Sequence, residues 1–175
     1  MLEATGQQSI VDRMIRAARL DPHLYEEVEH DQSATSQALF VVVLGALAGG
    51  IGALSGGIAG LVVLVVASLV GWAVYAFIAY WVCTNIFKGP HTEATWGQLL
   101  RTLGFANSPR ILMVLVIIPV VGIFVGLAVF VWMLFTTVIA IRQALDFDTG
   151  RAIGTAVVSL LAQFVIYVAV FAIIA

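Results

Sequence analysis

The amino-acid sequence predicts an all-α integral membrane protein with five transmembrane helices, a cytoplasmic N-terminus and an external C-terminus. Its 175 residues are 62% hydrophobic and 10% charged, whereas about a quarter of residues are charged in soluble domains. No Asp, Glu, Lys or Arg occurs from residue 32 to residue 87, a stretch far longer than the roughly 20 apolar residues that span a bilayer. All eight Lys and Arg residues lie in the stretches 13–19, 88–110 and 142–151. Because short basic loops favour the cytoplasm, we expect all three stretches on that side.

Residues 1–35 are predicted to form a cytoplasmic segment with two short interfacial helices. The first helix has an apolar side suited to the inner leaflet and a charged side suited to water. The apolar side comprises Ile10, Val11, Met14, Ile15 and Ala18, and the charged side comprises Asp12, Arg13, Arg16 and Arg19. Asp21 and Pro22 then supply an N-cap and a first-turn proline for a second helix that ends near Glu29.

The second helix carries the segment's most acidic run. We expect Leu24, Tyr25 and Val28 to face protein or lipid, and the glutamates to face water. The residues expected to contact a partner are Asp21, Tyr25, Glu26 and Glu29. Carboxylates with one imidazole also suggest a weak metal site, whose candidate ligands are Glu26, Glu29, His30 and Asp31. Consecutive helical residues point in different directions, so the prediction is no metal and no cofactor.

Residues 36–175 are predicted to form the transmembrane domain. A turn signal at Ser55-Gly56-Gly57 separates two helices, 38–54 and 58–87, and Lys88-Gly89-Pro90 ends the second. Residues 92–107 mix bulky apolar side chains with Arg101 and Glu93, which is typical of a helix lying on the membrane surface. We therefore expect that helix not to span.

Charge placement divides the uncharged stretch that follows into two crossings. A single helix would put Arg142 and Arg151 outside, against the cytoplasmic bias of short basic loops. A turn at residues 119–122 instead gives helices at 103–119 and 122–142. Asp146 and Asp148 then supply capping side chains for a last helix, 152–175, which ends outside.

Small residues provide close-packing faces on these helices. Gly45, Gly49, Gly52 and Gly56 share one face of the first membrane helix, and Gly122 and Gly126 repeat the small-xxx-small pattern. In lipid such faces let backbones approach closely. The pattern leaves two alternatives open, packing within the bundle and a seam for a homo-oligomer or another membrane protein.

The composition also excludes several classes of function. Nucleic-acid binding is not expected, because the net charge is −2 and the arginines are interleaved with acids. With Arg110 placed at the cytoplasmic edge, the hydrocarbon part of the predicted spans contains no charged residue or histidine, which argues against ion-coupled transport. The polar residues expected to hydrogen-bond between helices are Ser68, Thr136, Thr137, Ser159 and Gln163. No catalytic set of acid, base, nucleophile or metal is visible, so we expect no enzyme.

A short motif links these features to a known family. Gly104, Phe105 and Pro109, within Gly104-Phe105-Ala106-Asn107-Ser108-Pro109, follow the glycine-rich first hairpin. Together with an acidic N-terminal segment and five crossings, they resemble the Yip1 domain family over residues 20–175. The segment Leu20–Glu29 also resembles the region before the membrane domain in prokaryotic members. The resemblance implies a non-enzymatic membrane protein, and Gly104, Phe105 and Pro109 as motif residues.

The family implies trafficking partners only for its eukaryotic members, which bind prenylated small GTPases and form complexes with each other. Their Asp-Leu-Tyr-Gly-Pro motif is absent here, so the resemblance does not carry those GTPase contacts to this chain. The hypothesis is a non-enzymatic multi-pass scaffold or adaptor that assembles through its glycine faces and presents its acidic cytoplasmic segment to a partner, in contact with membrane lipid. The alternatives are an accessory subunit of a larger bioenergetic or transport complex, and an uncoupled pore or facilitator. The expected location is a prokaryotic cytoplasmic membrane, or an endomembrane in a eukaryote.

Overall fold

The computed structural model describes residues 9–50, 57–88 and 94–174, and within these ranges the fold is entirely helical. The elements in chain order are α1 (Ile10–Ala18), α2 (Pro22–His30), α3 (Ala34–Gly50), α4 (Gly57–Asn85), α5 (Trp96–Ala106), a 3₁₀ helix (Ser108–Ile117), α6 (Val121–Ala144) and α7 (Thr149–Ile174). We call α1 and α2, with their flanking residues 9–31, the cap.

Four segments are long and apolar enough to cross a membrane: Gly57–Asn85, Trp96–Ile117, Val121–Ala144 and Thr149–Val170. The helix Ala34–Gly50 is also apolar but has only 17 residues. This composition is that of a multi-pass membrane protein. The count of five crossings and the N-inside orientation remain predictions.

Helix contacts show how α3, α4 and α7 run relative to one another. The end of α3 meets the beginning of α4, where Gly50 packs against Leu61 and Leu64. Gly71 in the middle of α4 contacts Tyr167, and Phe87 just after α4 contacts Gly154, so α4 and α7 run antiparallel. Helix α6 packs on both α5 and α7.

The predicted surface helix 92–107 was expected to be exposed, but the helix in the structure, α5, is mostly buried. Helix α5 lies inside the bundle, where the Trp72 indole donates to the Leu100 carbonyl at 3.1 Å and the Thr136 hydroxyl donates to the Ala106 carbonyl at 2.9 Å. The charge of Arg101 suggested exposure to water, but that side chain is only 8% exposed. Residues 92 and 93 lie outside the described ranges.

The predicted helix 103–119 is divided in the structure between the end of α5 and the 3₁₀ helix. Proline lacks an amide hydrogen, and Pro109 occupies the first turn of the 3₁₀ helix. The chain turns at Ile118–Val120, where Val120 has a φ of 67°, and α6 begins at Val121. The predicted division of this stretch at residues 119–122 is confirmed.

Two of the predicted capping side chains, Asp21 and Asp148, make their cap hydrogen bonds. The Asp21 carboxylate accepts from the His23 amide at 3.0 Å, with Pro22 in the first turn of α2. The Asp148 carboxylate accepts from the Arg151 amide at 3.0 Å, and α7 begins at Thr149 rather than at residue 152. The turn predicted at Ser55-Gly56-Gly57 falls largely in residues 51–56, outside the described part of the chain.

Candidate functional site

Ion pairs fold the cap into a compact unit. The Arg13 guanidinium donates to the Glu27 carboxylate at 2.8 Å and pairs with Asp31 at 2.9 Å. Arg16 pairs with Asp21 at 2.8 Å and with the second oxygen of Glu27 at 2.9 Å. Glu27 thus joins both arginines of α1 to α2. Arg13 was predicted to face water, but its side chain is only 7% exposed because these carboxylates satisfy it inside the cap.

Charge pairing and burial shift the pKa values of the cap's acids in opposite directions. The hydrogen bond from Arg16 lowers the pKa of Asp21, and hydrogen bonds from Ser33 and then Arg13 lower the pKa of Asp31. Burial instead raises the pKa of Glu29. The ion-paired acids Asp21 and Asp31 therefore stay ionised to lower pH than usual, which keeps their pairing intact.

Arg101 fastens α2 to the bundle. Its guanidinium donates to the carbonyl of Val28 at 2.9 Å and also to the carbonyl of Glu29. The last carbonyls of a helix lack partners within the helix and attract positive charge. Arg101 supplies both donors and charge to the end of α2, so α5 and α2 are held together at that point.

Further hydrogen bonds join the cap to α5 and α6. The Gln98 amide donates to Glu29 at 2.9 Å, and the Gln143 amide donates to Glu26 at 3.0 Å. The Trp132 indole donates to the Ala18 carbonyl at 2.7 Å. The cap is therefore an integral part of the folded domain rather than an independent tail.

Two of the four residues predicted to contact a partner lie inside instead. Tyr25 is fully buried and donates its hydroxyl hydrogen to the Ala17 carbonyl at 3.2 Å. Glu29 is 7% exposed and accepts from Gln98. Asp21 is half-buried beside Arg16, and Glu26 remains exposed. Sequence alone could not separate these positions, because Glu29 has the same residue type as its exposed neighbour.

The exposed acids gather where the cap meets the α6–α7 connection. They line an open depression of about 470 Å³, which we call the acidic hollow. Its residues are Glu26, Arg142, Gln143, Asp146, Phe147, Asp148 and Thr149. The Arg142 Nε donates to the neighbouring Gln143 at 3.0 Å. The hollow therefore presents three carboxylates from two distant parts of the sequence.

The weak metal candidates do not converge. Glu26 bonds to Gln143, Glu29 to Gln98, Asp31 to Arg13, and His30 Nδ1 to the Glu26 carbonyl. Among the described residues, no group of three or more His, Cys, Asp or Glu side chains is arranged to hold a metal ion.

The family-motif residues lie at a close helix crossing. A Cβ on Gly104 would come within 2.5 Å of the Ala38 Cβ and 3.2 Å of the Ala38 carbonyl oxygen. Phe105 is fully buried, and Pro109 is buried at the start of the 3₁₀ helix. These residues set how α5 and the 3₁₀ helix pack on α3.

The described glycines of the predicted seams differ in their surroundings. A Cβ on Gly45 would meet the Arg110 side chain at 3.2 Å, and one on Gly49 would meet Met113 at 4.0 Å. Gly122 packs against the Val116 carbonyl, whereas Gly126 has open space beside it. Three of these positions thus pack inside the bundle. Gly52 and Gly56 lie outside the described residues.

A cavity of about 600 Å³ opens in the bundle between α4, α5, α6 and α7. We call it the bundle cavity. Most of its wall is apolar, and its polar residues are Ser68, Tyr75, Asn107, Arg110, Thr137, Gln163 and Tyr167. Gln163 crosses from α7 to donate to the Gly71 carbonyl at 3.0 Å, as expected for an inter-helix hydrogen bond, and to the Tyr167 hydroxyl at 2.7 Å.

Arg110 is the functional candidate that the sequence reasoning missed. It lies within the candidate span Trp96–Ile117. Its side chain packs against Gly45, which is an interior residue of α3. The candidate span Trp96–Ile117 thus contains two charged side chains, Arg101 and Arg110, whereas none was predicted in a membrane span. The sequence signal that could have identified Arg110 is its position between Pro109 and an uninterrupted apolar run. The sequence prediction assigned Arg110 to the cytoplasmic edge.

Comparison with known proteins gives one match. A family model for the Yip1 domain matches residues 22–171, from the first residue of α2 into α7. No curated protein and no solved structure gives a significant match. The matched region runs from α2 through α6 and covers all but the last residues of α7.

Proposed function

This chain belongs to the Yip1 domain family, and from that premise we propose that it is a non-enzymatic multi-pass membrane adaptor whose cap presents the acidic hollow to a partner protein. The observation that carries the proposal is the attachment of the cap to the bundle through Arg101, Trp132 and Gln143. A fixed cap holds its exposed side chains in one geometry, which lowers the cost of ordering a binding surface.

The chemistry of the hollow indicates the kind of partner. Glu26, Asp146 and Asp148 are exposed and come from α2 and from the α6–α7 connection. Complementary charge directs recognition and penalises wrong partners. The proposed partner segment is therefore basic, and it reads a surface that exists only in the folded protein.

The proposal is tested by reversing charge at one position of the hollow. Glu26→Arg and Asp12→Arg each change the net charge by the same amount, and both wild-type residues are exposed. Only Glu26 lines the hollow. We expect the complex extracted gently from native membranes to survive Asp12→Arg and to lose its partner by about tenfold or more in Glu26→Arg. The measurement is quantitative mass spectrometry of the tagged complexes, with their sizes determined in parallel.

Equal recovery of the partner from both variants would contradict docking at the hollow. A stoichiometric complex with a larger machine, unaffected by either substitution, would instead favour an accessory subunit. Self-assembly without any other protein would remove the adaptor role.

A further inference from the structure

We propose that the bundle cavity is a binding site for an anionic membrane lipid, whose acidic head pairs with Arg110 and whose acyl chain fills the apolar part of the cavity. The inference starts from the position of this arginine. Its Cβ, Cγ and Cδ atoms lie along the space left by Gly45, and its side chain lines the cavity. Gly45 thus makes room for the stem of Arg110 beside α3.

Arg110 has no countercharge among the described residues. Within the described ranges its guanidinium forms no ion pair and no hydrogen bond. The buried arginines Arg13 and Arg101 both have partners, because Arg13 pairs with carboxylates and Arg101 donates to helix carbonyls. A guanidinium has five donors and remains charged, so in an apolar setting it requires an anion or several acceptors.

The cavity lies midway along a candidate membrane-spanning helix, at the depth expected for lipid tails. Gly71, which lines it, is the central residue of the 29-residue helix α4. Gln163 and Tyr167 add an amide and a hydroxyl to the wall. Intramembrane charged residues commonly mark functional sites, and Arg110 is the charged side chain that lines this cavity.

The opening of the cavity indicates where its ligand comes from. Several apolar side chains of its wall keep a large exposed fraction, at 57% for Phe130, 49% for Val157 and 48% for Leu160. These side chains belong to α6 and α7, two candidate membrane-spanning helices, so the proposal takes the ligand from the surrounding lipid. A volume of about 600 Å³ is within the range of about 300–1,000 Å³ that suits small-molecule ligands.

Charge and shape together define the ligand class. The head must be a carboxylate or phosphate, which guanidinium recognises with paired hydrogen bonds. The tail must be apolar, because the remainder of the wall offers mostly hydrocarbon. An anionic lipid satisfies both requirements and reaches the opening directly from the bilayer.

The test uses the purified full-length protein, delipidated in detergent and titrated with defined probes in native mass spectrometry. The probes are dioleoyl phosphatidate, oleic acid, dioleoyl phosphatidylcholine and inorganic phosphate. We expect one anionic amphiphile to bind at least about tenfold more tightly than phosphatidylcholine, and Arg110→Gln to lose that preference by about tenfold or more. Arg110→Lys should retain part of it, and Arg19→Gln, which removes an exposed positive charge, should bind as wild type does.

A second pair of variants keeps the test valid if Arg110→Gln does not fold. Val157→Trp fills the cavity from its opening, whereas Val165→Trp places the same bulk on an exposed position of α7 outside the cavity. Only Val157→Trp should abolish binding. Equal lipid binding by all folded variants would overturn the proposal. Binding of inorganic phosphate as tightly as phosphatidate, or Arg110-dependent dimerisation of lipid-free protein, would also overturn it, by identifying a free anion or a second copy as the occupant.

Discussion

At Gly104, α5 lies directly against the backbone of α3. A Cβ there would come 3.1 Å from the Ala38 Cα, and that backbone atom cannot move aside as a flexible side chain can. The sequence could identify Gly104 as a motif residue, but only the structure identifies Ala38, 66 positions earlier, as the reason for it. Glycine is therefore required at position 104 because α5 and α3 approach each other closely there.

We predict that Gly104→Ala destabilises the protein by about 1–3 kcal/mol through overpacking. The matched control is Gly126→Ala, since a Cβ at Gly126 meets no atom within 4 Å. That control should leave stability unchanged or raise it slightly, because alanine favours helix over glycine. Thermal denaturation in detergent, followed by the fraction that remains monodisperse, measures both. Equal midpoints for the two variants would show that the crossing at Gly104 is not tight.

The arginines illustrate what sequence pattern leaves undetermined. Arg13, Arg101 and Arg110 all lie inside the fold, but the first pairs with carboxylates, the second binds helix carbonyls, and the third lines a cavity. Partners such as Val28 for Arg101 come from 73 residues away. Periodicity records which side of a helix carries charge, whereas burial depends on which distant atoms satisfy that charge.

At the scale of elements, the long membrane helices were predictable and α5 was not. Helices α4, α6 and α7 each contain a long, mostly apolar run whose length indicates a crossing. Helix α5 has an amphipathic sequence, which a surface helix and a packed helix share. The hydrogen bonds from Trp72 and Thr136 that place it in the bundle are tertiary contacts without a local sequence signal.

The cap is the element whose stability should depend on acidity. Arg16 lowers the pKa of Asp21, and a group with a lowered pKa in the folded state stabilises at pH above its unfolded value, near 3.8. That contribution is lost as the pH falls through the lower, folded-state pKa. Acidification below about pH 4 should therefore loosen α1 from α2.

We predict that Asp21→Asn raises hydrogen exchange of α2 amides by roughly two- to fivefold at pH 6, because the ion pair is lost while asparagine still caps the helix. The excess should shrink as the pH falls through the lowered pKa of Asp21, where the carboxylate of the wild type becomes protonated. Asp12→Asn, at an exposed position of α1, is the control and should exchange as wild type does. A constant excess from pH 6 to pH 3 would contradict the role of the Arg16–Asp21 pair.

At the scale of the whole molecule, the fold brings charged regions from opposite ends of the sequence to one end of the bundle. The hydrogen bond from Gln143 to Glu26 joins the cap to the α6–α7 connection. The charge distribution predicted a shared side for these regions before any contact was known. The sequence could not show that these regions contact each other directly, and that contact forms the acidic hollow.

The location of the cap and the α6–α7 connection on one face of the membrane is the central claim on which the adaptor proposal depends. The chain has a single cysteine, Cys83, which is buried, so Cys83→Ala provides a background for new cysteines at His23, Asp148 and Ala175. A membrane-impermeant maleimide applied to sealed vesicles of known orientation should label positions 23 and 148 from the cytoplasmic side only, and position 175 from the opposite side only. Labelling of positions 23 and 148 from opposite sides would contradict the account, because the acidic hollow would then not exist.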